Sequence, residues 1–361
     1  MTALKVFVVD SLAECGAPAG AAPPSPSAPP PSPALSPHRT PAAPPASLVC
    51  AATLAVQRQE QMTTDALLAD LGAVASVELI TSIAAGAGTF RQRFAAGMRR
   101  ADAVWLPAPA AGMLEQLARE VLRNGRILLG CRPDALRIAG SRRRMAHALA
   151  RACIDAVPTY TPAQRLPGAG GAWVVRPDAG ALWLDSHLFP SAAAALAWIG
   201  ACHCAALEPP RRLPAALRHV LQPFIPGKLG SLSLLCRDGA AQLLACNEQR
   251  VAMRDNQFHF LGTTVNSLAD NDGAFLRLAQ AVAAAVPGLW GHVGVDFVSA
   301  DRGPVVLDVC ARPGAAYAGL HASLGCNPAA LMLDLLTGPA GAAPPRPRPL
   351  AVSVDLAAFD G

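Results

Sequence analysis

The chain reads as an α/β protein with a parallel-sheet N-terminal domain and a larger, antiparallel-rich C-terminal domain. Two observations predict this. Up to about Gly130 short apolar runs alternate with helical periodicity, the pattern of a parallel sheet covered by helices. From about Arg218 onward apolar runs follow one another closely, and two of them, Gly291-His-Val-Gly-Val-Asp-Phe-Val and Val305-Val-Leu-Asp-Val-Cys, each carry one carboxylate, Asp296 and Asp308. A hairpin of these two runs places both acids on one face, with Arg312 a short step later.

Leu4 to Val9 is a first strand. A Pro-, Ala- and Ser-rich run from Ala17 to Pro45 then interrupts the domain; it cannot bury enough surface to offset its ordering entropy and is expected to be a disordered insertion. The pattern resumes with a helix from about Ala55 to Leu71, a strand at Val77–Ile80, a helix from Thr89 to Arg99 and a buried strand at Ala103–Leu106. A helix from Met113 to Arg123 and a strand at Ile127–Gly130 close this part. Ser141 is the N-cap of a helix reaching Arg151. Trp173-Val-Val-Arg-Pro-Asp is a strand and turn, and an Ala-rich helix runs from Ser191. Strands follow at His219–Phe224, Ser231–Cys236 and Gln242–Asn247, then a helix from Gly273 to Val286 and the two acid-bearing strands. Leu331–Leu336 lies on a closing helix, 338–349 is a flexible Pro/Gly-rich loop, and Leu350–Leu356 is a last strand. Three units are expected: residues 1–130, a central segment 131–210 and a C-terminal domain 211–361.

Composition narrows the function. Hydrophobic residues make up 52% of 361, enough for a real core, while charged residues are only 15%. The most apolar stretch, Ala192 to Leu207, is Ala-rich and shorter than a membrane span. The N-terminus lacks the long apolar stretch of a signal peptide, so a cytoplasmic protein is expected. The net charge of +5 is dispersed apart from Arg142-Arg143-Arg144, and aromatics are 5%, which argues against nucleic acid. Lys5 and Lys228 are the only lysines among 30 basic residues. The ten cysteines show no paired metal-binding spacing. Cys202-His203-Cys204 point apart on a helix, so they read as core residues of a reducing compartment.

Gln222-Pro-Phe-Ile-Pro-Gly, Ser231-Leu-Ser-Leu-Leu, Asn247-Glu-Gln, Phe260-Leu-Gly, Gly294-Val-Asp and Asp308-Val-Cys-Ala-Arg occur in one order. That order resembles the C-terminal half of ATP-grasp carboxylate–amine ligases. It is most similar to the tyramine(tyrosine)–glutamate ligase type of methanofuran biosynthesis in methylotrophic bacteria. Gly291-His-Val-Gly-Val-Asp stands where that type reads Gly-Tyr-Val-Gly-Val-Asp, and Asp308-Val-Cys-Ala-Arg stands for Glu-Val-Asn-Pro-Arg. The likeness is good from Arg218 to Leu336 and looser but collinear from the first strand through Val157-Pro158.

The resemblance implies an ATP-grasp fold in which residues 131–210 form a small lid. It implies that ATP and Mg2+ (or Mn2+) are used to form an acyl phosphate, which an amine converts to an amide in one-carbon metabolism. Asp296 and Asp308 would be the metal ligands, because magnesium prefers oxygen donors. Arg312 would be the catalytic cation. Arg176, standing where the family usually has lysine, would hold phosphate. The stretch Gln222, Pro223, Phe224 and Ile225 would lie along adenine. Ser231, Asn247, Gln249 and Tyr317 would face the substrates. The partners implied are small-molecule substrates, an amino acid such as glutamate and an amine, with no nucleic acid and no membrane, and a homodimer is one assembly allowed. Three departures stand out: Asp178-Ala-Gly-Ala-Leu-Trp-Leu-Asp replaces a glycine-rich phosphate loop, Cys310 replaces an asparagine ligand, and an arginine cluster after Ser141 replaces a family lysine. They make a non-catalytic relative the alternative.

Overall fold

A computed structural model describes residues 3–10, 46–82, 88–108, 113–168, 170–179, 186–207, 219–338 and 349–356. The Pro-rich run 17–45, most of the 338–349 loop and residues 180–185 of the expected phosphate-loop segment lie outside them.

Four parallel strands form the N-terminal sheet: β1 (Leu4–Asp10), β2 (Val77–Thr81), β3 (Ala103–Ala108) and β4 (Ile127–Leu129), in the order β2-β1-β3-β4. β1 is central, and Val6 to Val9 are buried on both of its faces, which is why it reads as an unbroken apolar run. Val6 and Val8 pack toward Leu67 and Leu71 of α1 (Ala46–Gly72), and Phe7 and Val9 toward Phe94 and Met98 of α2 (Phe90–Arg100). Thr89 and Gln92 close a capping box at the start of α2. Gly97 lies against the Phe7 ring so closely that a Cβ there would come within 2.4 Å of it. α3 (Leu114–Arg123) completes the layer, burying Leu117, Ala118 and Val121. α1 begins nine residues before the expected start.

Two short helices follow, α4 (Pro133–Ala139) and α5 (Arg142–Arg151). Ser141 caps α5 as its sequence position predicts, accepting from the Arg144 amide and donating to the Asp178 carboxylate. The middle strands are β5 (Trp173–Pro177), β6 (His187–Phe189) and β7 (His219–Pro223), covered by α6 (Ala192–Leu207). Their order is β6-β5-β7, and Trp173, Val175, Phe189, Trp198, Ile199 and Leu221 form their core. β7 pairs with β5 over five residues, so the middle strands run to Pro223, past the expected boundary at 210.

The C-terminal part holds β8 (Lys228–Arg237), β9 (Ala240–Arg254), β10 (Gln257–Val265), α7 (Ala274–Ala285), β11 (Gly291–Ala300), β12 (Gly303–Cys310), α8 (Tyr317–Leu324), α9 (Pro328–Asp334) and β13 (Val352–Asp355). β12-β11-β8-β9-β10 is antiparallel, and the single pair Gln257↔His187 joins it to β6. Two tight turns set its register: Asp238-Gly239 between β8 and β9, and Asp255-Asn256 between β9 and β10, with both central residues of each at positive φ. β6, β10, α4 and α8 were not predicted from sequence. β6 is only three residues long, β10 lacks clean alternation, and the helices are at most eight residues long. Among the described residues no helix is long and apolar enough to cross a membrane.

Candidate functional site

The register of four strands builds the site. Asp308 of β12 stands opposite Asp296 of β11, Asp296 opposite Ser231 of β8, and Ser231 opposite Asn247 of β9. Side chains alternate along each strand, so these four form one polar row on one sheet face. Val293, Val295, Phe297 and Val309, at the alternate positions, enter the core beneath α7. A bulge follows the acid pair: Phe297 pairs with Val306, leaving Leu307 as the extra residue. Such a bulge beside a site re-aims its side chains.

All four residues of the row are buried, so each needs a partner. Asn247 Nδ2 donates to Ser231 Oγ (3.3 Å) and Ser233 Oγ (3.1 Å), and its Oδ1 accepts from the Asn266 amide. Gln249 Nε2 donates to Asp296 Oδ1 at 2.7 Å. Asp308 is matched by cations: Arg142 Nη2 lies 3.1 Å from its Oδ2, and Arg176 Nη2 lies 3.9 Å from the same oxygen. Both guanidinium groups are buried. Arg142 is the first residue of α5, and it also donates to the Pro177 carbonyl. Asp178 accepts from Ser141 Oγ and from the Arg143 amide, so the end of β5 is fastened to the start of α5. The same fastening brings both arginines to one carboxylate.

Crowding of buried charge shows in the proton affinities. Burial, then the neighbouring Asp308, pushes Asp296 up from 3.8 to about 7. Burial, then Arg142, pulls Arg176 down to about 9, against the pull of Asp308 and Asp296. Burial raises the Cys310 thiol far above its ordinary range, with both carboxylates adding to it. Cys310 is therefore a neutral thiol here, a poor donor to a hard cation.

The sequence-predicted residues divide into groups. Asp296, Asp308, Arg176, Ser231, Asn247 and Gln249 come together around the row. Gln222 is buried on β7, and its Nε2 donates to Thr159 Oγ1 at 2.9 Å. Pro223 pairs with Trp173, and the Phe224 amide donates to the Ala172 carbonyl. Phe224 is 38% exposed with its ring stacked near Phe258, and Ile225 is part-exposed. Arg312 stands on the turn after β12, and its charge acts on Cys310. Its Nη2 lies 3.6 Å from Oε1 of Glu60 on α1, so it links the turn after β12 to the N-terminal domain. Tyr317, expected to contact substrate, is 1% exposed instead. Its ring packs edge-on to His292 in the core that joins α8 to α1 and β13, leaving no exposed surface for such a contact.

Arg142 and Glu60 were missed as site residues. The arginine cluster after a capping serine was a signal for Arg142. Glu60, in mid-helix among polar residues, reads as a solvated position and gave none.

The donor set suits a divalent cation. Two carboxylates on adjacent strands suit an ion that takes its remaining ligands from phosphate oxygens and water. Among the described residues no group of three His, Cys, Asp or Glu forms a protein-only cage. The residues fit magnesium held by two acids, provided Arg142 yields Asp308 Oδ2.

An ATP-grasp domain model matches residues 199–316, and a pre ATP-grasp 3 domain model matches residues 61–136. Among solved structures, the chain is similar to D-alanine–D-alanine ligase from Bacillus anthracis complexed with ATP (TM-score 0.60, 13% identity, 92% of this chain and 96% of that one). It is similar to an ATP-grasp superfamily protein from Archaeoglobus fulgidus (TM-score 0.55, 17% identity, 92% and 88%). It is also similar to L-amino acid ligase from Bacillus licheniformis (TM-score 0.54, 14% identity, 74% and 65%). At these identities the likeness is one of fold. No curated protein matches the chain.

Proposed function

We propose that this chain, which belongs to the ATP-grasp superfamily, is an ATP-dependent carboxylate–amine ligase, joining L-glutamate to tyramine or tyrosine as in methanofuran-type cofactor synthesis. The observation that carries the reading is the buried row Asp308–Asp296–Ser231–Asn247, met at one end by Arg142 and Arg176. Two acids and two arginines converging on one sheet face suit a polyphosphate.

In this reading Arg142 and Arg176 bind phosphate oxygens, each exchanging part of its contact with Asp308 for the nucleotide. Asp296 and Asp308 would hold magnesium, which when bound neutralises phosphate charge. Arg312 stabilises charge on the phosphoryl group as the glutamate carboxylate attacks it. Ser231 and Gln249 flank the acids, while Asn247, fully buried, steadies Ser231 and Ser233 through its Nδ2. Pro223 has no amide hydrogen and Phe224 spends its own on Ala172, so an adenine edge would be read by Ile225 and by carbonyls of this stretch. The likeness to D-alanine–D-alanine ligase and L-amino acid ligase supports amide formation. The cell compartment proposed is the cytoplasm.

Cys310 in place of an oxygen ligand, and Arg142 seated on Asp308, favour a second reading: a non-catalytic relative that binds nucleotide or serves as an assembly partner. Magnesium-dependent ADP release, measured with L-glutamate and a panel of amines, separates the two. The ligase reading expects release that requires both substrates. Nucleotide binding without release, with magnesium or manganese, supports the second reading.

A further inference from the structure

Glu60 is a carboxylate that the phosphoryl chemistry above does not use. It lies on α1, and its Oε1 is 3.6 Å from Arg312 Nη2. That distance is an ion pair without a close hydrogen bond. The two side chains are 19% and 23% exposed, so neither is sealed from a ligand. Thr63, on the same helix, gives its hydroxyl proton to the Gln59 carbonyl at 2.8 Å, and the Gly314 carbonyl lies 3.4 Å from the same oxygen, so the turn after β12 packs close to α1. Arg312 acts electrostatically on Cys310, and Cys310 lies beside Asp296 and Asp308. Arg312 therefore ties Glu60 to the turn that follows Asp308 and Cys310 on β12.

Resting on the ligase reading, we propose that Glu60 binds the ammonium group of the amine substrate beside Arg312 and accepts its proton as the amide forms. The chemistry requires such a group, because an ammonium has no lone pair to attack with. The step balances as follows. The acyl phosphate, the ammonium and the Glu60 carboxylate give the amide, hydrogen phosphate and the protonated Glu60 carboxyl. The C–N bond forms, and the bond from the acyl carbon to the phosphate oxygen breaks. One ammonium proton goes to Glu60 and one to the departing phosphate. Burial holds the Glu60 carboxyl above its ordinary value despite the opposing pull of Arg312, which makes it a better proton acceptor than an exposed glutamate. The substrate class that follows is a primary amine that is cationic at neutral pH. A neutral nucleophile would not need this residue.

The test compares two nucleophiles in the full-length protein with ATP, magnesium and L-glutamate. Hydroxylamine is uncharged near neutral pH and traps an acyl phosphate as the hydroxamate, whereas tyramine arrives as a cation. Glu60→Gln keeps the side-chain size and can still donate to or accept from its neighbours. It is expected to lower amide formation with tyramine about 100-fold, about tenfold or more beyond any change in hydroxamate formation, which it reaches only through Arg312, with Glu60→Asp recovering part of the loss. Equal loss with both nucleophiles would assign Glu60 a purely structural role and overturn the proposal, as would wild-type amide formation by Glu60→Gln. If the wild-type protein forms no hydroxamate, the ligase reading fails first and takes this proposal with it.

Discussion

Two ends of the proposed site are made in different ways. At the acid end, Asp308, Asp296, Ser231 and Asn247 are aligned by the register of four antiparallel strands, and each is buried. At the other end, Gln222 to Ile225 run along β7 and out of it, with Phe224 exposed and the Gln222 side chain turned to Thr159. The acid end works through side chains in low dielectric, where charge interactions are strong and a lost partner is costly. The edge would work through backbone groups and one exposed ring, which many sequences can supply. Substitutions should therefore hurt far more at the row than at the edge.

The largest effect is expected at Asp296. Asp296→Asn should reduce magnesium-dependent ADP release by about 100-fold or more while circular dichroism stays unchanged. The same variant carries a stability signature. Asp296 holds its proton in the folded state up to about 7 and releases it near 3.8 when unfolded. Between those values the folded state binds more protons, so raising the pH across this window erodes stability of the ligand-free protein. Asp296→Asn should flatten that slope in thermal melts. An unaltered slope would mean that another group causes it.

A smaller but still large effect is expected at Arg142. Arg142→Met removes the nearer cation from a buried carboxylate and, among the described residues, leaves Arg176 at 3.9 Å. Denaturant unfolding should show a loss of about 3 kcal/mol. By contrast Arg254, paired with the adjacent Asp255 at an exposed turn, should tolerate the same change without a measurable shift. Equal effects at the two arginines would erase the distinction between the buried row and the surface.

The smallest effect is expected at the edge. Phe224→Ala should weaken ADP binding, read by calorimetry, by about 1 kcal/mol through lost ring contact. A loss as large as that at the acid row would move the centre of recognition to the edge.

How legible each end was in sequence follows from the same difference. Asp296 and Asp308 could be found because each is the one acid in an apolar strand, and a buried charge within such a run needs a reason. The parallel N-terminal sheet was readable because β1 and β3 are apolar on both faces. Arg142 was only half visible: its cluster could be seen, but its turn toward Asp308 depends on the Ser141–Asp178 link between residues 37 apart. Glu60 was invisible because its partner, Arg312, is brought to it by the packing of α1 on the turn after β12. Tyr317 was misread because a motif carries no information about which way a buried helix start faces. β6 escaped because it is three residues long. β10 escaped because its side chains alternate poorly while its backbone pairs with β9, β6 and β13.

The central claim is that the Asp296–Asp308 pair is the metal-and-phosphate end of a nucleotide site. Crystals grown with ADP and manganese test it directly, because manganese scatters anomalously and substitutes for magnesium. The account predicts an anomalous peak within about 2.2 Å of oxygens from both Asp296 and Asp308, with phosphate oxygens against Arg142 and Arg176. A nucleotide bound with its manganese elsewhere, and Arg142 still seated on Asp308, would contradict it.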